Sequence, residues 1–171
     1  MVTPLAQAAV EAPAIIDIEA SGFGRNSYPI EVGYVLPDGS SYCSLIRPVP
    51  HWTHWDPAAE RIHHIRRDML EHHGRDVGEI AQLLNDRLRG RTVFSDGWAH
   101  DYPWLAAIYE EAEIVPSYKL DSLRRLLTER EAREWDAMRR VVSQEMSETR
   151  HRASADARLL QSTLMRLRGG R

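Results

Sequence analysis

The chain has 171 residues and a mass of 19.6 kDa, which is typical of a single domain built around one hydrophobic core. Hydrophobic residues make up 43% of the chain and the mean hydropathy is -0.46, which excludes disordered, collagenous and membrane-spanning chains. The single cysteine, Cys43, excludes an internal disulfide and a thiolate zinc site. The net charge of -3 divides into -8 for residues 1–118 and +5 for residues 119–171, a division that suits either a carboxylate-lined site beside a cationic surface or ordinary surface charge.

The first predicted elements are three strands. Residues 14–19, A-I-I-D-I-E, form a β-branched run that ends in two acids, just before a turn. Residues 30–36 and 41–46 flank the turn sequence Pro-Asp-Gly at 37–39, which predicts a β-hairpin. The sheet is therefore expected to begin as an antiparallel arrangement.

Helices dominate the rest of the chain. The predicted elements are, in order, short helical pieces over 56–70, a helix over 77–88, a strand over 92–95, a helix over 104–112 begun by Pro103, an edge strand over 118–120, and helix from about 122 onward. The last helix places Ala153, Leu160, Leu164 and Leu167 on one face. Strands first and helices later predict an α/β or α+β sheet covered by helices.

Two carboxylates stand at the end of the first predicted strand, where Asp17 and Glu19 are separated by one residue. Because side chains alternate along a strand, both point to one face, with Ile16 and Ile18 on the other. Two like charges at a buried strand end repel each other unless cations neutralise them, and oxygen ligands favour Mg²⁺ or Mn²⁺. The pair is compatible with a divalent-metal site, but taken alone it fits two exposed acids at a strand end better.

A second set of residues, His151, Ala153 and Asp156, leads into the last predicted helix. His151 can take a proton from water near neutral pH, and Asp156 can offer a further oxygen to a metal. An acidic first turn that favours the helix dipole, beside an incidental surface histidine, explains the same residues equally well.

A third acid follows the predicted strand 92–95. Asp101 lies just ahead of Pro103, where an aspartate often caps a helix. Capping and metal binding are compatible, and Asp96 is a rival for either role.

These three signals, in this order, resemble the motifs of the DEDDh family of 3'-to-5' exonucleases, which includes RNase T, oligoribonuclease and the polymerase proofreading subunit. Residues 17–22, D-I-E-A-S-G, resemble the first motif, D-x-E-[TS]-[TS]-G, and His151, Ala153 and Asp156 match the third, H-x-A-x-x-D. The second motif ends in an acid, here Asp101. The resemblance extends from residue 14 to about residue 165.

The resemblance also has departures. Ala20 replaces the usual hydroxyl residue of the first motif, and Asp96 and Gly97 replace the His-Asn pair of the middle motif.

A further similarity lies between the first two motifs, where residues 62–65, I-H-H-I, are similar to the family's V-H-G-I stretch.

The resemblance implies an RNase H-like fold of the α/β class, with a mixed sheet and helices on both faces. It implies one exonuclease domain over residues 1–171 with short disordered N- and C-terminal ends. Two Mg²⁺ or Mn²⁺ ions are expected between four carboxylates, those of Asp17, Glu19, Asp101 and Asp156. His151 is expected to accept the proton of the attacking water, and nucleoside 5'-monophosphates are expected to leave one at a time.

The resemblance places the substrate's terminal nucleotide at the turn after Glu19. The substrate-binding residues are then Ala20, Ser21, Gly22, Phe23 and His63. The backbone N–H groups of Ala20 and Ser21 are expected to face the phosphate or sugar, and Phe23 to stack on a base. A hydrophobic plug under the hairpin is an equally good reading of Phe23.

Six of the eight histidines fall between residues 51 and 73. The first two, His51 and His54, have the H-x-x-H spacing of zinc ligands, but the Cys or carboxylate completion of familiar zinc sites is missing. Adjacent histidines also seldom point the same way. The sequence therefore favours no zinc site in this segment.

The sequence thus predicts a metal-dependent 3'-to-5' exonuclease, a phosphodiester hydrolase that acts on single-stranded DNA or RNA ends or on short oligonucleotides. The alternative, motivated by Ala20 and the altered middle motif, is a module with a nuclease-like fold that binds nucleic acid or nucleotide without cutting. The absence of a leader or long apolar run predicts a cytoplasmic location and no membrane partner. A homodimer is compatible with the family. The choice between DNA and RNA does not follow from motif spacing.

Overall fold

The computed structural model of the protein describes residues 11–146 and 152–169. Parts of the ends predicted as disordered, residues 1–10 and 170–171, lie outside the described residues, and so does His151. In the described ranges the elements are β1 (Ala14–Ala20), β2 (Pro29–Val35), β3 (Ser41–Leu45), α1 (Pro57–His63), α2 (Arg67–His73), α3 (Val77–Leu88), β4 (Thr92–Ser95), α4 (Trp98–Ala112), β5 (Lys119–Ser122), a 3-10 turn (Leu123–Leu126), α5 (Glu129–Met146) and α6 (Ala153–Leu167).

The strands form one mixed sheet in the order β3-β2-β1-β4-β5. Strands β1, β2 and β3 are antiparallel neighbours, while β4 runs parallel to β1 and β5 runs parallel to β4. The predicted hairpin and the predicted edge strand are both confirmed. The α/β class with a mixed, RNase H-like sheet is confirmed as well, and β1, which carries the D-x-E pair, lies at the centre of the sheet.

Helices cover both faces of the sheet because β1 has apolar residues on both. Ile16 and Ile18 belong to a core that includes side chains of α3 and α4. Ile15 points to the opposite face and packs in a second core with α5 and α6, where Leu160 and Leu164 are buried. The alternation of side chains along one strand therefore separates the molecule into two apolar layers.

Helix α4 begins earlier than its sequence predicts. Pro103 predicts a helix over 104–112, but the helix begins at Trp98 and contains Pro103. A proline lacks an N–H group, so the carbonyl four residues before it loses a helical partner, which this helix tolerates near its start. As a result Asp101 lies inside the first turn of α4 instead of ahead of it.

None of the helices in the described ranges combines the length and the apolar content that a bilayer crossing requires.

Candidate metal centre

Three carboxylates meet where the end of β1 faces the start of α6. Asp17 and Glu19 point to the same side of β1, and Asp156 lies in the first turn of α6. One oxygen from each lies within 4.8 Å of the other two. Among the residues that the structure describes, this is the one group of three or more acidic, histidine or cysteine side chains close enough to share a metal ion.

A glycine on the neighbouring strand lets α6 approach the sheet so closely. Gly33 of β2 lies directly opposite Asp17. A Cβ atom at this position would overlap the backbone nitrogen of Ser154 and the backbone carbon of Ala153. The lack of a side chain at Gly33 therefore allows the first residues of α6 to rest on the sheet beside the two acids of β1.

A buried carboxylate on the same strand holds the start of α6. Glu31 is 0% exposed and lies opposite Glu19. Its carboxylate accepts hydrogen bonds from the side chain of Arg152 and from the backbone N–H of Ala153. Neither Glu31 nor Gly33 is predicted from the sequence, where the one local signal is a lone acid inside an otherwise apolar strand.

Asp101 approaches the group from α4. Its side chain is 4% exposed and accepts a hydrogen bond from Ser95, the last residue of β4. Asp101 is not one of the three acids within 4.8 Å, but among the nearby charges it has the largest effect on the pKa of Asp17. The structure therefore places Asp101 beside the group formed by Asp17, Glu19 and Asp156.

Asp96, the rival to Asp101, already has a cationic partner. Its carboxylate accepts a hydrogen bond from Arg139 of α5 at 3.1 Å. Its charge also acts on Asp17, but less strongly than that of Asp101. The pairing with Arg139 favours Asp101 as the carboxylate available to a metal.

The acids of this site are hard to ionise together. Burial raises the pKa of Asp17 well above its usual range, and four neighbouring carboxylates raise it further, in decreasing order Asp101, Glu19, Asp156 and Asp96. Burial also raises the pKa of Glu19 to about 8, with Asp156 the largest charge effect.

The same holds for Asp101, because burial raises the pKa of this side chain to about 7 against the opposing hydrogen bond from Ser95. A divalent cation would remove the repulsion, and the oxygen-only donor set fits Mg²⁺ or Mn²⁺.

The turn after Glu19 differs from its prediction at Ser21. Ser21 is fully buried, its backbone N–H donates to the carbonyl of Tyr28, and its hydroxyl accepts from the N–H of Tyr28. The prediction that the Ser21 N–H faces a substrate is therefore wrong. Gly22 is needed for packing, because a Cβ there would come within 2.8 Å of Asp56.

The other predicted substrate residues have different surroundings. Phe23 is 63% exposed, so the reading as a plug under the hairpin is wrong. His63 is 3% exposed, its Nδ1 accepts from the N–H of Ile65, and its ring packs near the backbone of Ala20. His63 therefore supports the turn instead of lining an open surface, and a substrate contact at Ala20 stays a prediction.

A groove of about 1040 Å³ lies where the turn after Glu19 continues along the chain. It is lined by residues 24–28, residues 51–54 and the start of α4. Aromatic rings and histidines form much of its wall: Trp52 stacks on Tyr28, and His100 stacks on Trp104. The groove reaches α4 at His100, the residue before Asp101 in the chain, but none of the four carboxylates lines it.

Solved structures of exonuclease I share this fold. A moderately thermophilic exonuclease I from Methylocaldum szegediense is 16% identical with a TM-score of 0.64, and the match covers 92% of this chain and 40% of that one. E. coli exonuclease I in complex with a 5cy-dA13 oligonucleotide is 12% identical with a TM-score of 0.62, over 92% of this chain and 41% of that one. The zinc-bound form of the E. coli exonuclease I complex with single-stranded DNA has a TM-score of 0.55 at 12% identity, over 76% of this chain and 29% of that one.

The likeness to exonuclease I is one of three-dimensional structure. No family model matches the sequence, and no curated protein matches it. The chain spans about 40% of the length of the exonuclease I chains with the higher TM-scores. The shared feature is the sheet with its covering helices.

Proposed function

We propose that this chain is a metal-dependent 3'-to-5' exonuclease that hydrolyses single-stranded DNA or RNA ends or short oligonucleotides. The observation that carries the proposal is the meeting of acids from β1, α4 and α6 at the end of one central strand. Burial, and then their mutual repulsion, oppose the ionisation of these acids, as the raised pKa values of Asp17 and Glu19 indicate. Ionisable groups held at such a cost are characteristic of catalytic and metal sites.

Asp17, Glu19 and Asp156, with Asp101 beside them, are the residues that would hold Mg²⁺ or Mn²⁺, and we propose two ions, as in the resembling family. Bound cations would offset the negative charge that develops on a phosphodiester during hydrolysis. The protein's own contribution is to hold the oxygens in place. β1 fixes Asp17 and Glu19 through the sheet, and the hydroxyl of Ser95 orients the carboxylate of Asp101.

We assign the proton-accepting role to His151. An imidazole is the side chain best suited, in general, to take a proton from water near neutral pH. His151 lies outside the described residues, but it directly precedes Arg152, which Glu31 holds at the start of α6. The assignment therefore rests on the sequence motif and on the position of its neighbour in the chain.

We base the substrate class on the groove that reaches α4 at His100, the residue before Asp101. Aromatic faces accept any base, and the exposed ring of His100, stacked on the half-buried Trp104, therefore suits a single strand of mixed sequence. The exposed ring of Phe23 adds another stacking surface at the turn after Glu19. Exonuclease I structures described as complexes with oligonucleotides give the same class of ligand to the shared fold.

The test uses 5'-labelled single-stranded DNA and RNA of one sequence, incubated with the purified chain and Mg²⁺ or Mn²⁺. We expect a ladder shortened from the 3' end that disappears on chelation and returns with added Mn²⁺. Asp17→Ala should lower the rate at least a hundredfold, because the carboxylates act as a unit. Glu134→Gln, a charge-neutralising change on an exposed residue of α5, is the control and should retain the rate.

Absence of shortening of either nucleic acid would refute the proposal. Binding of the oligonucleotides without metal-dependent hydrolysis would instead support a nuclease-like binding module.

A further inference from the structure

Glu31 is not one of the carboxylates assigned to the metal. We propose that Glu31 is a positioning residue, whose buried carboxylate fixes the first residues of α6 and thereby sets Asp156 against Asp17 and Glu19. This inference rests on the proposed function, because it concerns the same metal site.

Both oxygens of Glu31 are used in holding α6. Oε1 accepts from Nε of Arg152 at 2.7 Å and from Nη2 of Arg152 at 2.5 Å. Oε2 accepts from the backbone N–H of Ala153 at 2.8 Å. A paired guanidinium contact and a backbone contact together restrict both the direction and the position of the helix start.

Helix α6 has no side-chain cap of its own. Its N-cap residue is Arg152, whose side chain makes no hydrogen bond to the first turn of the helix. An acid at this end is favoured by the helix dipole and by the unpaired N–H groups of the first turn. Glu31 supplies that acid from β2, so the cap ties the helix to the sheet.

The cross-strand pairs place this cap next to the metal ligands. Glu31 lies opposite Glu19, and Gly33 lies opposite Asp17, so that all four residues share one face of the sheet. Gly33 gives α6 room, and Glu31 holds the backbone that enters that room. The start of α6 is thus located by the two residues that face the acids of β1.

A carboxylate at position 31 has a cost beside the acids of β1. Glu31 adds a like charge near Glu19, where it opposes ionisation of that side chain. Buried ion pairs often stabilise a fold no better than apolar residues of similar size. What the carboxylate adds over an apolar residue is a fixed orientation for the segment that leads into Asp156.

The chain contains a matched control for a substitution at Glu31. Glu131 is also buried and also accepts from an arginine and a backbone N–H, those of Arg168 and Thr128. Its arginine partner follows the opposite end of α6. Glu31→Gln and Glu131→Gln therefore make the same change at the two ends of one helix.

The experiment compares the wild type, Glu31→Gln and Glu131→Gln by calorimetric titration with Mn²⁺ and by the rate of oligonucleotide shortening. We expect Glu31→Gln to weaken Mn²⁺ binding 10- to 100-fold and to lower kcat, in line with the effect of removing residues that orient metal ligands. Glu131→Gln should lower the melting temperature but leave Mn²⁺ affinity and kcat within twofold of the wild type. Equal Mn²⁺ affinity in the wild type and Glu31→Gln, or equal losses in both variants, would overturn the inference.

The titration separates this inference from the proposed function. If the wild type binds Mn²⁺ but cuts no oligonucleotide, the proposed nuclease activity is refuted. The Mn²⁺ affinities of the wild type and Glu31→Gln then still decide the role of Glu31. A wild type that binds no Mn²⁺ would overturn both. If Glu31→Gln does not fold, the same test uses Arg152→Lys, which keeps the positive charge but loses the second N–H contact to Glu31. We expect this variant also to bind Mn²⁺ more weakly than the wild type. Unchanged Mn²⁺ affinity would overturn the inference.

Discussion

Glu19 has an oxygen within reach of Asp17 and Asp156 and lies opposite the buried acid Glu31. Burial and the charges of Asp156, Glu31 and Asp101 raise its pKa to about 8, from an ordinary value of 4.5, while Arg152 opposes the shift. Without a metal, the folded protein therefore holds a proton at this side chain in a pH range where the unfolded chain has released it. The stability that this proton brings is fully present below about pH 4.5 and is lost as the pH rises through 8.

We predict that Glu19→Gln makes the metal-free protein less sensitive to pH. At about pH 5 the wild type and the variant should have similar free energies of unfolding, and at about pH 9 the variant should be more stable by on the order of 2 kcal/mol. The measurement is urea unfolding at both pH values in metal-free buffer. Excess Mn²⁺ at the higher pH should favour the wild type, because an amide binds the ion less well than a carboxylate. Parallel pH profiles without metal would contradict the prediction.

At the scale of elements, the site depends on the contact between α6 and the hairpin of β1 and β2. Gly33 permits that contact, since any side chain there meets the backbone of Ser154 and Ala153. Backbone atoms cannot move aside as the end of a flexible side chain can. The helix start and the strand pair therefore behave as one unit.

Gly33→Ala is predicted to displace the start of α6. We expect a loss of about 1–3 kcal/mol in the free energy of unfolding, together with weaker Mn²⁺ binding, because Asp156 moves with the helix. Gly78→Ala, in the first turn of α3, is the control, since a Cβ there comes no closer than 3.1 Å to a side-chain oxygen of Asp76. Chemical denaturation and Mn²⁺ titration of both variants give the comparison. Equal behaviour of the two would show that the close approach at Gly33 is not a constraint.

The part of the site that the sequence predicts is the part with a local signal. Alternation along β1 is enough to put Asp17 and Glu19 on one face, and the structure has them there. The role of Glu31 could not be predicted, because it depends on the strand register and on an arginine 121 residues later.

Two local expectations failed for physical reasons. Pro103 suggested a helix start, but a proline is also tolerated within the first turns of a helix, so α4 begins five residues earlier than Pro103, at Trp98. Ser21 was expected to face a substrate, but its polar groups close the loop onto Tyr28. In both cases a residue type fits two local structures, and packing with the rest of the chain decides between them.

For the whole molecule, the central sheet joins two apolar layers. Ile16 and Ile18 belong to the layer of α3 and α4, and Ile15 belongs to the layer of α5 and α6. Because neighbouring residues of the same strand contribute to both, the loss of either layer exposes β1. The two layers are therefore expected to unfold together.

Leu84→Ala and Leu164→Ala test this expectation, since both side chains are fully buried but lie in different layers. Each variant should lose about 2–5 kcal/mol of unfolding free energy. Circular dichroism and tryptophan fluorescence should report one coincident transition for each. Separate transitions in either variant would mean that one layer can melt while the other persists.

The order of the acids along the chain has a consequence for biosynthesis. Asp17 and Glu19 lie in the first strand, whereas Asp156 lies in the last helix that the structure describes. A ribosome-bound chain therefore carries an incomplete set of the proposed metal ligands until α6 has emerged and docked on the hairpin. In a nuclease, this order would keep the nascent protein inactive beside the messenger RNA from which it is being translated.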